Sequence, residues 1–328
     1  MRRREFIAGL GGAAAWPLVA RGQQLARAQR IGVLLAAYSS ADQPGTARVA
    51  AFLTELRRLG RRDDVIQIDY RWGAGNTEVA KSLAAELVHS LPDAIVVAGD
   101  PALVELQRLT KAIPIVFTQV SDPIDSGFVA SLARPGGNIT GFQNFDREMG
   151  GKWLGVLLEA VPRLQHFGAL VIPGTAPHGV FLSSTEMAAA SRGVTVKAAN
   201  VRDVGEVERA ITALVSEPDT GLIVFPHPLT IANRALIHSL AAQHRLPAIY
   251  PYKYFATDGG FLAYGPDQID QWRGAAGYVD RILRGEKPGE LPVQTPVKYE
   301  TVLNLKTAKS LGLDVPPSLL ARADEVIE

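Results

Sequence analysis

From Gln29 to the end of the chain at residue 328, short runs of β-branched and aliphatic residues alternate with stretches whose apolar positions recur every three or four residues. This rhythm constrains the fold more than any other feature, because a strand followed by a crossover helix returns the chain parallel to itself and builds a sheet covered on both faces. Ile31-Gly32-Val33-Leu34-Leu35 contains no polar position and reads as a strand buried on both sides. Val49, Phe52, Leu53, Leu56 and Leu59 then share one helical face, and Gly60 ends that helix. Further strands are predicted over 65–70, 94–99 and 115–118, with helices over 77–90 and 101–111; Asp100-Pro101 supplies an N-cap and a first-turn proline. The turn-rich stretch Pro135-Gly136-Gly137-Asn138 lacks any apolar period and is read as the first crossing between two lobes.

A second series follows, with strands predicted over 167–172, 194–196 and 222–225 and helices over 147–160, 180–192, 204–216 and 229–244. Segments 248–250 and 261–264 with a helix over 269–283 read as a return to the first lobe, and the tail, with a helix over 301–311, as one more crossing. The expected class is α/β with two doubly wound parallel-sheet lobes joined by a hinge: residues 29–141 plus about 251–294 in lobe 1, and 142–250 plus about 295–328 in lobe 2.

Residues 1–28 read as an export signal. Arg2, Arg3 and Arg4 precede an apolar run from Phe6 to Ala20 that is too short to span a bilayer, and Arg3-Arg4-Glu5-Phe6-Ile7 has the R-R-x-F-I form of the twin-arginine route. Ala26-Arg27-Ala28 offers cleavage near Ala28, with 20–23 as an alternative zone, and a periplasmic location is expected. Residues 1–28 hold five arginines and one glutamate, so the remainder carries 29 basic and 32 acidic side chains and a net charge of −3. That balance gives no basic patch for nucleic acid. The chain has no cysteine, which excludes disulfides, thiolate metal sites, a cysteine nucleophile and a lipidated N-terminal cysteine.

In open α/β sheets ligands sit beyond the carboxyl ends of the strands. Those ends are Tyr38-Ser39-Ser40, Gly99-Asp100 and Thr118-Gln119 in the first lobe, and Asn144, Gly174-Thr175 and His227 in the second. Hydroxyls, amides and backbone N–H groups of this kind hold a solute without reacting with it. Tyr250, Tyr252 and Tyr254 alternate on an extended segment, with Tyr264 beyond them; they either stack on a flat solute, so that Tyr250→Ala or Tyr252→Ala costs roughly 1–3 kcal/mol of affinity, or pack the hinge. Asp122 and Asp125 either meet a ligand amine or cap the following turn. No G-x-S-x-G elbow, P-loop or H-E-x-x-H motif occurs, and the six histidines have no metal-ligand spacing. Neither an enzyme nor a cofactor is expected.

Several stretches together carry a resemblance: Ser121-Asp122-Pro123-Ile124, Ala133 to Gly141, Tyr264-Gly265-Pro266-Asp267, Gly277 to Leu283, Asn304 to Lys309 and Ala321 to Ile327. The chain resembles the ABC transporter substrate-binding family related to the TrpX-type proteins, in its twin-arginine-exported subgroup. The resemblance implies a type I periplasmic binding protein fold, two lobes joined by three crossovers and closing on a ligand, which is then loaded onto a separate membrane permease and ATPase. It also implies a small-molecule ligand, an amino acid or a small aromatic carboxylate; a monomeric protein is expected. A sensor for a membrane receptor, or a periplasmic enzyme with His227 as its base, are the alternatives.

Overall fold

The structure, a computed structural model, describes residues 28–62 and 64–328. The twin-arginine pattern therefore lies outside the described residues. Two sheets form. The first contains β1 (Gln29–Leu35), β2 (Ile66–Trp72), β3 (Ala94–Ala98), β4 (Ile115–Val120) and β5 (Ile139–Gln143), all parallel, in the order β2-β1-β3-β4-β5. Helix α1 (Gln43–Arg58) covers one of its faces together with α10 (Gln268–Leu283), which returns from late in the chain and sets Trp272 edge-on to Phe52 with ring centroids 6.1 Å apart. Helices α2 (Thr77–His89) and α3 (Asp100–Leu109) pack together and bury Ala80, Ala84, Leu87, Leu103 and Leu106 with the side chains Ile95, Val97, Ile115 and Phe117 of the central strands. The apolar runs of β1, β3 and β4 follow from this double cover.

The second sheet has seven strands in the order β12-β11-β10-β9-β8-β6-β7. They are β6 (His166–Val171), β7 (Thr195–Asn200), β8 (Thr220–Val224), β9 (Ala248–Tyr250), β10 (Leu262–Pro266), β11 (Tyr299–Asn304) and β12 (Glu325–Ile327). Its helices are α4 (Met149–Ala160), α5 (Ala176–Arg192), α6 (Val204–Leu214), α7 (Pro228–Ala232), α8 (Arg234–Gln243), α9 (Lys253–Thr257), α11 (Leu305–Ser310) and α12 (Pro317–Arg322). Trp153 anchors this lobe: it is 1% exposed, lies 5.1–5.7 Å from the rings of Phe145, Phe181 and Phe225, and donates from Nε1 to the Tyr264 carbonyl at 2.8 Å.

The expected α/β class with two sheets and three crossings is found, with corrections in detail. Pro135–Asn138 is not the first crossing. It leads into β5, where Asn138 Nδ2 donates to the Ile113 carbonyl (2.7 Å), and the chain crosses over residues 144–148. The return comes at Asp267 and not near 251, because β9 and β10 pair with each other inside the second sheet. Short apolar runs announce a strand but not the sheet it joins. Thr301 lies in β11, antiparallel to β10, and the helix after it begins only at Leu305, capped by Asn304. The stretch predicted as one helix over 229–244 is two, divided at Asn233. The N-cap of α3 is Gly99 at φ 102°, which frees Asp100 to turn its carboxyl elsewhere. Near the third crossing Gln294 lies along β5, with Gln143 N–H donating to its carbonyl (2.8 Å) and its own N–H donating to the Gly141 carbonyl (3.0 Å).

Candidate ligand-binding cleft

The carboxyl ends of both sheets face one cleft. Its inner end is lined from the first lobe and crossing by Gly99, Asp100, Gln119, Ser121 and Asn144, and from the second by Thr175, His178, Pro226, His227 and Tyr252. It widens outward between the turn Ala74–Thr77 and the segments around Gly174, Asp203 and Leu229.

A shift of register between Phe117 and Val120 interrupts the pairing of β4 with β5 at Thr118 and Gln119, while Thr118 stays paired with Ala98 of β3. Gln119 takes φ 54°, a left-handed value that a side chain with a Cβ rarely adopts, and is 6% exposed. Its Nε2 donates to Tyr38 Oη (2.9 Å), while its Oε1 is buried without a partner. Asn144, 1% exposed, repeats the arrangement: Nδ2 donates to Tyr252 Oη (2.7 Å) and Oδ1 has no partner. Thr118 Oγ1 is also buried without one, but Thr118 does not line the cleft. Asp100 accepts from the Ser121 N–H (3.3 Å), and burial, opposed in part by that hydrogen bond, pushes its carboxyl up to about 7. Acceptors thus converge where their desolvation is costly unless something donates to them.

The histidines opposite are neutral. His178 Nδ1 accepts from the Ile172 N–H (2.9 Å), which leaves the proton on Nε2 to donate to the Pro226 carbonyl (3.2 Å); burial lowers its pKa to about 4. His227 caps α7, its Nδ1 accepting from the Leu229 N–H (3.1 Å), and burial, with His178 beside it, takes it to about 3. No lysine or arginine lines the inner cleft among the described residues.

Of the residues singled out in the sequence, Gly99, Asp100, Gln119, Asn144, Thr175, His227 and Tyr252 meet at the inner cleft and Gly174 lines its outer part. Tyr38 stands behind Gln119, fully buried. Ser39 and the exposed Ser40 form a turn outside the lining, where Asp42 N–H donates to the Ser39 carbonyl (3.1 Å). Tyr250 does not line the cleft: it is stacked on Phe255 at 5.2 Å with His238 edge-on at 4.9 Å, inside the second-lobe core. Tyr264 also points away, stacked on Tyr299 at 5.7 Å. Strand alternation placed Tyr250 and Tyr252 on one side, but β9 ends at Tyr250 and the chain bends before α9. The ring of Tyr252 is stacked on Phe145 (5.5 Å) and Tyr254 (5.5 Å), so it offers a ligand its hydroxyl edge. Asp122 and Asp125 are engaged in their own turn and by Arg147. The sequence reading missed Ser121 and His178. The signal for His178 was Pro177, a first-turn proline that starts α5 at Ala176, four residues before the predicted helix.

Two sheets whose carboxyl ends enclose a polar cleft, joined by three crossings, define a two-lobed binding protein. Residues 42–327 match the family described as ABC transporter substrate binding protein, and the chain belongs to that family. It is 26% identical over 263 residues to a tyrosine-binding protein of Clostridioides difficile strain R20291, covering 80% of this chain and 75% of that one. A Streptococcus pneumoniae protein solved in complex with L-Trp superposes with a TM-score of 0.84 at 24% identity, covering 91% of this chain and 99% of the other. A conserved domain protein of Vibrio cholerae gives 0.84 at 25%, covering 92% and 100%. The fold is that of the type I periplasmic binding proteins. Among the described residues no helix is long and apolar enough to cross a membrane.

Proposed function

We propose that the protein is the periplasmic solute-capturing component of an ABC uptake system, that its solute is an amino acid, and that it passes this solute as a monomer to a membrane permease. The observation that supports the amino acid over the aromatic carboxylate is the inner cleft itself: the Asp100 carboxyl and the unpartnered oxygens of Gln119 and Asn144 converge there, and no cationic side chain stands among them. Acceptors of this kind match the three donors of an ammonium group. A carboxylate placed at the same point meets carboxyl and carbonyl oxygens. The names of the tyrosine-binding relative and of the L-Trp complex point to the same class of ligand. The R-R-x-F-I pattern at Arg3 supports export, after which residues 29–328 act in the periplasm.

The cleft does not need chemistry to do this. His227 is held near pKa 3 with Nδ1 committed to the cap of α7, which suits a fixed Nε2–H donor and not a proton acceptor at neutral pH. The reading is tested by pH. A ligand ammonium requires Asp100 ionised, so binding displaces a proton wherever the free carboxyl still holds one. Affinity for L-tryptophan or L-tyrosine is expected to rise about 10-fold per pH unit up to about 7 and to level off above, as measured by titration calorimetry from pH 5 to 8. A flat profile removes Asp100 from the site.

A further inference from the structure

The two lobes also touch outside the cleft. Asp42, in the loop between β1 and α1 of the first lobe, faces Arg234, the first residue of α8 in the second, and the two form a forked pair: Nη2 to Oδ1 at 2.8 Å and Nη1 to Oδ2 at 3.2 Å. Both side chains are largely shielded, 17% and 12% exposed, so solvent screens this pair less than an ordinary surface bridge. Arg234 is held from its own lobe as well: Nε donates to Asp258 Oδ2 at 2.7 Å, and the guanidinium lies 5.5 Å from the Tyr254 ring. Its fork is therefore fixed before Asp42 arrives. Burial works against the charge, but the hydrogen bonds to Asp42 and Asp258 outweigh it and raise the Arg234 pKa, so the cation persists at any working pH.

A second contact completes the seat. Gly75 of the first lobe adopts φ 79° and lies so close to α7 that a β-carbon added there would overlap Ala232 Cβ and come within 3.0 Å of the Pro228 carbonyl oxygen. The lobes approach to backbone distance at this point, and the approach leaves no room for a larger side chain at 232. Neither Asp42 nor Arg234 lines the cleft in its inner or outer part.

We propose that the Asp42–Arg234 pair, with Gly75 seated against Ala232, is a closing latch that sets ligand affinity without touching the ligand. The consequence for affinity rests on the solute-binding reading above; the latch itself does not. Apparent affinity scales with the fraction of molecules in the binding-competent form, so a contact made only on closure multiplies the affinity of whatever solute the cleft holds. Asp42 and Arg234 act here as positioning residues.

The chain has no cysteine, so Lys111→Cys on the first lobe and Met187→Cys on the second label uniquely with spin probes, and both native positions are exposed. Pulsed dipolar distance measurement on residues 29–328, without ligand and with saturating L-tryptophan, is expected to show a closed population at short interlobe distance that grows with ligand. That population is expected to be lowered in both conditions in Asp42→Asn and in Ala232→Leu, and to be lowered less in Asp258→Asn, which breaks only the contact within the second lobe. The exchange Asp42→Arg with Arg234→Asp is expected to restore part of it. With L-tryptophan as the probe ligand, Asp42→Asn should weaken binding about 10-fold, mostly through faster dissociation. The latch is overturned if Asp42→Asn leaves the closed population unchanged both with and without ligand, or if Asp258→Asn lowers it equally. Because the closed population is also compared without ligand, a protein that binds neither tryptophan nor tyrosine still tests the latch through the difference between parent and Asp42→Asn, and such a result counts against the amino-acid reading alone.

Discussion

Asp100→Asn is expected to cost about 2–3 kcal/mol of affinity for an amino-acid ligand at pH 8, or 30- to 150-fold, and to raise the melting temperature of the free protein. The first effect follows from removing one member of a shielded charge pair, a change that characteristically costs this much or more. The second follows from linkage. The unfolded carboxyl ionises near 3.8 and the folded one near 7, so between those values the folded state binds more protons and its stability falls as pH rises; above 7 the deficit is complete. Asparagine keeps an oxygen for the Ser121 N–H and removes the group that resists ionisation. Calorimetric titration and a melting curve on one preparation check both halves. A lower melting temperature with unchanged affinity would make Asp100 a structural partner of Ser121 and nothing more.

Trp153→Ala is expected to destabilise the protein by about 4–5 kcal/mol and to lower its melting temperature by roughly 10 °C. The indole is 1% exposed, so its removal leaves a cavity walled by Phe145, Phe181 and Phe225 that these neighbours, on the first crossing, α5 and the end of β8, cannot fill. It also strips the Tyr264 carbonyl of its donor. Phe145 carries the damage toward the cleft through its stack with Tyr252. Chemical denaturation with linear extrapolation measures the loss; a change under 2 kcal/mol would mean that the lobe repacks around the gap.

The alternation of apolar runs made the βα order readable because each strand and helix writes its own period into the chain. Ile31 to Leu35, Ala94 to Ala98 and Ile115 to Val120 are buried throughout and look so in the sequence. What the period does not encode is partnership. Leu262 to Pro266 pairs with β9 and β11 because of where the second sheet has a free edge, and nothing within the segment distinguishes that edge from the first sheet. Thr301 to Asn304 reads as the start of a helix for the same reason: Val302 and Leu303 fit either period until the antiparallel pairing with β10 decides.

At the cleft, the rule that ligands gather at strand ends brought Gly99, Asp100, Gln119, Asn144, Thr175 and His227 to one place. It failed where a strand end is followed by a change of direction. Tyr250 and Tyr252 share parity in the sequence, yet the former closes β9 in the core and the latter reaches Asn144. The latch was not legible at all, since Asp42 and Arg234 lie 192 residues apart and each resembles an ordinary helix-end charge.

The central claim, capture of an amino group between the lobes, is tested most directly by calorimetric titration of residues 29–328 at pH 8 with L-tryptophan and L-tyrosine, each run beside its deaminated carboxylate. The expected result is saturable one-to-one binding of at least one free amino acid, with the deaminated partner at least 30-fold weaker. Equal binding of an amino acid and its deaminated counterpart, or binding of the deaminated acid alone, would contradict the account.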